Sequence, residues 1–273
     1  MNVLAEFAES RELLVNLTLR ELRGKYKRSV LGWTWSLLNP ISLTIIYTIV
    51  FGVFLGSGPL PGKNSGIDNF PAWLMCGLLA WGFVSQSLTG SMAMIIGNAG
   101  LIKKVYFPRE LLPFSNVLAL LVSYLIEMVV LLAFLVVLGG FGVLPWALGV
   151  LPVIVVLTVY SAGLGLLFSV LNVYFRDVQY LVGILMNLWF YMTPIVYNMS
   201  YVDKFAAQHG SIFGTIYRLN PMVGFVGIIR ALIYDRTTPG MASMLYVLGW
   251  GIGMFVVGLW VFRRYEGRLA EEL

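Results

Sequence analysis

The chain has 273 residues, 59% apolar and only 11% charged, with a mean hydropathy of +0.85. A soluble domain carries about 25% charged residues, so the composition excludes an ordinary soluble enzyme and points to a chain that lives in lipid. The single cysteine, Cys76, excludes an internal disulfide, and the single histidine, His209, excludes a histidine-rich metal site.

The N-terminus shows no cleavable signal pattern, because Glu6, Glu9, Arg11 and Glu12 precede any apolar run. Over residues 1–30, Glu12, Asn16, Arg20, Arg23 and Lys27 recur at spacings of 4, 4, 3 and 4, one face of a helix. Leu13, Leu14, Leu17 and Leu22 lie largely off that stripe, so the segment reads as an amphipathic helix at the membrane interface. An ordinary basic flank is the plainer alternative.

The first span is predicted over 33–56, with Trp33 and Trp35 at the interface and Asn39-Pro40 set to kink the helix. Residues 57–69 are turn-formers and make a loop. The second span, 70–97, is polar along Ser85, Gln86, Ser87, Thr89 and Ser91, residues that face neighbouring helices or a cavity rather than lipid. Residues 98–112 combine Lys103, Lys104 and Arg109 with Leu101, Ile102, Val105, Tyr106 and Phe107. Apolar groups in a basic connection, stopped by Pro108, suggest a docking element; packing against the chain's own spans is the other reading.

The third span, 113–138, contains Glu127, which costs about 2.5–3.5 kcal/mol on the insertion scale. Sixteen Leu, Ile, Val and Phe residues between Val117 and Leu138 outweigh it. Asn116, Ser123 and Glu127 share a face, and Glu127 admits a functional and a structural reading equally. The fourth span is 145–171. Arg176-Asp177 forms a water-boundary turn, and the fifth span is 178–197, with Thr193-Pro194 marking a break. Residues 198–240 hold an apolar stretch, Met222 to Tyr234, about 20 Å long as helix and too short for a core of about 30 Å. It reads as a re-entrant or interfacial helix begun after Asn220-Pro221. The sixth span, 241–262, carries Gly249 and Gly253 in small-xxx-small spacing for close helix packing. The proposed inner segments hold thirteen Lys and Arg against five outside, which puts both termini in the cytosol.

No G-x-x-x-x-G-K-[ST], H-E-x-x-H or paired intramembrane carboxylate occurs, so energy for uphill transport must come from another subunit or from an ion gradient. With Glu127 the sole acid deep in a span, ion coupling has little to work with.

Leu31-Gly-Trp-Thr-Trp-Ser-Leu-Leu-Asn-Pro40, Lys103-Lys-Val-Tyr-Phe-Pro-Arg-Glu-Leu-Leu-Pro113, Asn172-Val-Tyr-Phe-Arg-Asp-Val178, Thr193-Pro-Ile195 and Leu219-Asn-Pro221 stand in one order along the chain. In them the sequence resembles the permease subunit of type 2 ABC exporters, in the branch that moves wall teichoic acids and O-antigens. The resemblance implies an all-α membrane protein, a single transmembrane domain over 1–273 with six transmembrane helices, an interface helix and short re-entrant gate helices within 198–240. It implies a homodimer in the bacterial cytoplasmic membrane with two ATP-binding cassette subunits, and no nucleic acid partner. ATP and Mg2+ belong to those subunits, and no cofactor is expected on this chain. The connection of Leu101, Ile102, Lys103, Lys104, Val105, Tyr106, Phe107 and Arg109 would be the ATPase-coupling element, with Arg176 and Asp177 as a second contact. The substrate would be a polyprenyl-diphosphate-linked glycan, with wall teichoic acid first and O-antigen next.

On that reading Lys25, Lys27 and Arg28 are the cations available to a lipid diphosphate. Trp35, Tyr47, Phe51, Trp81, Phe83, Tyr191 and Tyr197, with Glu127, are candidate channel-lining residues. Two other readings are a drug or lipid exporter of the same class and, more remotely, a membrane-embedded transferase.

Overall fold

A computed structural model describes residues 10–26, 34–56, 61–105, 107–269 and 272. Lys27, Arg28 and Tyr106, three of the predicted site residues, lie outside the described residues. Those described form helices and connecting turns, with no strand among them. The order is α1 (Arg11–Tyr26), α2 (Thr34–Tyr47), α3 (Phe70–Gly97), α4 (Ala99–Ile102), α5 (Leu111–Gly139), α6 (Leu144–Tyr174), α7 (Val178–Tyr191), α8 (Met199–His209), α9 (Ser211–Arg218), α10 (Pro221–Ile229) and α11 (Met241–Tyr265). Helix α2 runs on as a π-helical turn, Thr48–Phe54, and α10 likewise over Arg230–Tyr234.

Five helical stretches are long and apolar enough to cross a membrane, and the bent pair of Ile212–Arg218 with Pro221–Tyr234 (69°) makes a possible sixth. The chain is therefore a multi-pass helical membrane protein. Helix α3 is its centre. Its most apolar window is 61% buried inside the fold, against 6% for α2. Helix α3 packs on α5 and α6, while α2 lies at the periphery.

The polar run of α3 is sorted by its helical period. Ser87 and Ser91 are fully buried, and Asn116 of α5 donates to the Ser87 carbonyl at 3.2 Å and to Ser91 Oγ at 3.1 Å. Asn172 of α6 donates to the Met92 carbonyl at 2.9 Å. Such bonds satisfy polar groups in the interior and fix the rotation of α3 against its neighbours.

Helices α6 and α11 make the most extensive contact of the fold. Gly163 lies against the backbone of Met254, and Gly258 against the backbone of Gly163. Gly249 and Gly253, which the spacing assigns to this packing, instead face open space on the other side of α11. The small-xxx-small pattern is real, but 3.6 residues per turn puts Gly251 and Gly258 on the packed face, with Gly251 against Val156.

Helix α7 stops at Tyr191, short of the Tyr197 expected from sequence. Its 14 residues make about 21 Å of helix, less than a membrane core. Residues Thr193 to Val196 then run as buried irregular backbone. Asn69 and Asn220 cap α3 and α10 through their side chains, accepting from Ala72 N at 3.0 Å and Met222 N at 3.0 Å, each with a proline just inside the helix.

The helices alternate in direction. The 98–110 connection, the 175–177 turn and the end of α11 consequently meet at one end of the bundle with α1. Arg20 of α1 donates to Asn98 Oδ1 at 2.8 Å, Arg263 pairs with Glu110 at 3.0 Å, and the Tyr174 and Tyr265 rings lie 5.7 Å apart. At the opposite end the 61–69 loop is stitched to 234–236: Asn64 N donates to the Asp235 carbonyl at 2.9 Å and Tyr234 Oη to the Ile67 carbonyl at 2.7 Å. Arg236, at φ +52°, donates to the Gly139 carbonyl at 2.8 Å, placing a cation at the C-terminal end of α5.

A methyl at Gly258 meets backbone that cannot yield, so Gly258→Ala is expected to destabilise by about 1–3 kcal/mol. Gly253→Ala is expected to leave thermal unfolding in detergent unchanged or slightly raised.

Candidate substrate path and coupling surface

Three adjoining cavities run between α1 and α7. The first, about 320 Å³, is walled by Glu21, Lys25, Gln86, Thr89 and Asn116. The second, about 170 Å³, shares Lys25 and Gln86 with it and adds Trp35, Ser36, Asn39 and Glu127. The third, about 200 Å³, shares Asn39, Gln86 and Glu127 with the second and continues to Tyr47, Trp81, Ser85, Asn187, Phe190 and Tyr191. Gln86 borders all three.

Of the residues predicted from sequence, Lys25, Trp35, Tyr47, Trp81, Glu127 and Tyr191 thus come together along one row. Phe51 packs at 6.0 Å on Tyr47, and Tyr197 donates to the Tyr191 carbonyl at 2.7 Å beside the row's far end. Phe83 does not join them. It is 3% exposed and stacked on Tyr124 at 5.0 Å, between α3 and α5, because the helical period turns it away from Trp81 and Ser85.

Sequence reasoning placed Gln86 only as facing a neighbouring helix or a cavity, and missed Asn39, Asn187, Trp189 and Phe190 as wall residues or their supports. Trp189 and Phe190 hold the aromatic end together: Trp81 meets Trp189 at 5.5 Å edge-on and Phe190 at 5.7 Å, and Tyr47 stacks on Phe190 at 5.8 Å. The visible signal was the unbroken aromatic run at 189–191. The lining combines amides, the hydroxyls of Ser36, Ser85 and Thr89, two acids, Glu21 and Glu127, and aromatic faces, with a lysine at the α1 end. Such a wall hydrogen-bonds hydroxyl-rich rings and stacks on their apolar faces without holding them tightly. Among the described residues no group of three or more His, Cys, Asp or Glu could ligate a metal.

Beyond α7 a second arrangement fixes the path's far wall. Arg230 is 8% exposed. It donates through Nη1 to the Pro194 carbonyl at 2.7 Å, through Nη2 to the Ile195 carbonyl at 2.7 Å and through Nε to the Trp73 carbonyl at 3.3 Å. Its guanidinium carbon sits 3.4 Å over the Trp73 ring. Gly77 makes the room, since a Cβ there would lie 2.9 Å from Nη2. Asn220 accepts from Trp189 Nε1 at 2.8 Å and donates to Thr193 Oγ1 at 2.9 Å. The Thr193-Pro194 and Asn220-Pro221 breaks are therefore pinned to each other. From sequence, Arg230 was legible only as a charge in an apolar stretch.

At the α1 end, α4 and the following turn show Lys103, Lys104 and Val105 exposed, with Val105 at 53%. Leu101 is half-buried. Ile102 and Phe107 turn into the core at 6% and 7% exposed, so they anchor the connection rather than offer it to a partner. Arg109 is also engaged within the chain: its backbone N–H donates to Glu266 Oε1 at 3.2 Å and its Nη1 to the Glu266 carbonyl. Among the described residues the exposed part of this connection is thus Lys103 to Val105, with the exposed Arg176 and Asp177 turn at the same end.

A family model described as ABC-2 type transporter matches residues 12–234, and the chain belongs to that family of membrane permeases. It is 32% identical over 264 residues to an O-antigen export system permease protein RfbA of Klebsiella pneumoniae, covering 96% of this chain and 95% of that one. It is 29% identical over 274 residues to the RfbA protein of Myxococcus xanthus, across 100% of both chains. A polysialic acid transport protein KpsM of Escherichia coli is 26% identical over 263 residues, with 92% of each covered.

Arg230→Met strips the Pro194 and Ile195 carbonyls of their donor and is expected to cost about 1–3 kcal/mol per buried acceptor left unpaired. Arg230→Lys recovers only part, because an ammonium lacks the planar fork that reaches three carbonyls. Thermal unfolding of the two variants in detergent, with Arg230→Met melting lower, checks the order.

Proposed function

We propose that this chain is the channel-forming subunit of an ATP-driven exporter that moves a polyprenyl-diphosphate-linked cell-surface polysaccharide across the bacterial cytoplasmic membrane. The row of three cavities from Lys25 to Tyr191 carries the reading. A cation at one end suits a lipid diphosphate, with Lys27 and Arg28 close by in sequence. Amides and aromatic faces beyond it suit a sugar chain that must slide. The walls come from α1, α2, α3, α5 and α7, and α2 and α7 leave broad apolar faces bare, including Ile45, Leu181 and Leu188. A second copy across those faces would close the path, so the working unit is a homodimer.

Energy comes from two ATP-binding cassette subunits, which hold ATP and Mg2+ and dock on the Lys103–Val105 turn and on Arg176-Asp177. Both termini lie in the cytosol in this arrangement. The names of the relatives give O-antigen precedence as the cargo; wall teichoic acid shares the lipid-diphosphate chemistry and belongs in the same assay as its comparison.

Two measurements test this. Lys103→Glu with Lys104→Glu should abolish copurification of the ATPase subunits while stability stays within about 0.5 kcal/mol, as for exposed positions; retained copurification would refute the docking surface. Trp81→Ala and Gln86→Leu should lower export of long glycans several-fold in reconstituted vesicles with ATPase binding intact. Undiminished export in both would refute the path.

A further inference from the structure

A second pair of clefts lies away from the path, on the face of α11 that Gly249 and Gly253 leave open. The upper one, about 580 Å³, is walled by Lys63, Arg218, Thr238 and Ser243, with the first turn of α11 and the glycines Gly224 and Gly227. Arg218 is held by Asp203 at 2.9 Å; Lys63 makes no ion pair among the described residues. The N-cap of α11 is Gly240, which has no side chain to offer its first amides, so the upper cleft collects positive partial charge as well as hydroxyls. The lower one, about 450 Å³, is an apolar groove down the side of α11 between Leu245, Trp250, Met254 and Val257, floored by Gly249 and Gly253.

Tyr246 borders both clefts. Gly224 gives its ring room, with Cδ1 3.2 Å from where a Cβ would stand. The ring meets Trp250 edge-on at 6.4 Å. A polar cationic cleft thus opens directly into an apolar groove, with a tyrosine at the joint. The groove faces outward from the bundle, where bilayer lipid lies.

We infer that this composite cleft is a binding site for an anionic phospholipid of the leaflet opposite α1, its phosphate at Lys63 and the start of α11, and one acyl chain laid along Gly249 and Gly253. Lys63 supplies the selectivity for negative headgroups. The glycine floor supplies the depth, since any larger side chain at 249 or 253 would fill the groove. The site is independent of the polymer transported.

The test uses the full chain in neutral detergent, titrated with phosphatidylglycerol or phosphatidylcholine and read by native mass spectrometry. Phosphatidylglycerol should be retained about five-fold better, the weight of one cation near an anionic surface. Lys63→Glu should abolish that preference and leave phosphatidylcholine retention unchanged. A Cβ at 253 meets no neighbouring atom within 4 Å, so Gly253→Leu should fold; it should weaken retention of both lipids alike. Equal retention of the two lipids by the unaltered chain would overturn the inference, as would a preference that survives Lys63→Glu or groove binding that survives Gly253→Leu. Displacement of phosphatidylglycerol by inorganic phosphate at equal concentration would show an anion site without an acyl component, and would also overturn it.

Discussion

The buried guanidinium of Arg230 is the interaction on which the rest of the structure depends. Taking a charge out of water costs several kcal/mol unless its donors are met, and among the described residues no carboxylate lies within ion-pair distance of it. Three backbone carbonyls and the face of Trp73 compensate instead. Those carbonyls are available because Pro194 ends α7 early and leaves the following backbone without helical donors. The cation and the broken helix each need the other. Their union joins α3, the end of α7 and the π-helical tail of α10 in one place. Irregular backbone is tolerated at such depth only where protein satisfies it, and here a single side chain does most of that.

The same economy of polar groups explains the central helix. Along α3, Ser87 and Ser91 are spent on helix packing, while Ser85, Gln86 and Thr89 face cavities. Neither role alone accounts for so polar a span. Together they make α3 both the spine of the bundle and one wall of the row of cavities, and the hydrogen bonds of Asn116 to α3 fix which of its residues face which side.

Much of this was legible in the residues. The apolar runs, the basic connections and the Thr193-Pro194 and Asn220-Pro221 breaks locate most of the elements, and Lys25, Trp35, Tyr47, Trp81, Glu127 and Tyr191 fall on one row. The failures share a cause: spacing shows which residues share a face, not what that face meets. Gly249 and Gly253 carry the expected pattern yet point outward, and Gly258 does the packing. Ile102 and Phe107 look like docking groups beside two lysines yet anchor the turn to the core. Phe83 differs from Trp81 by two residues, which in a helix is enough to move it from the path to the interior. Arg230 could be flagged as an anomaly, but its partners are carbonyls, which no side-chain pattern reveals.

The ties between Arg109 and Glu266 and between Glu110 and Arg263 have a mechanical consequence. They join the 98–110 connection to the end of α11. The contact of Gly258 with Gly163 lies about 7.5 Å along the axis from Arg263 and about 26 Å from Met241, at 1.5 Å per residue. Gly251 against Val156 and Gly163 against Met254 continue that contact along the helix, so α11 is gripped by α6 over several turns. A displacement at that end of the molecule is therefore shared between α6 and α11 as one unit rather than taken up by either helix alone.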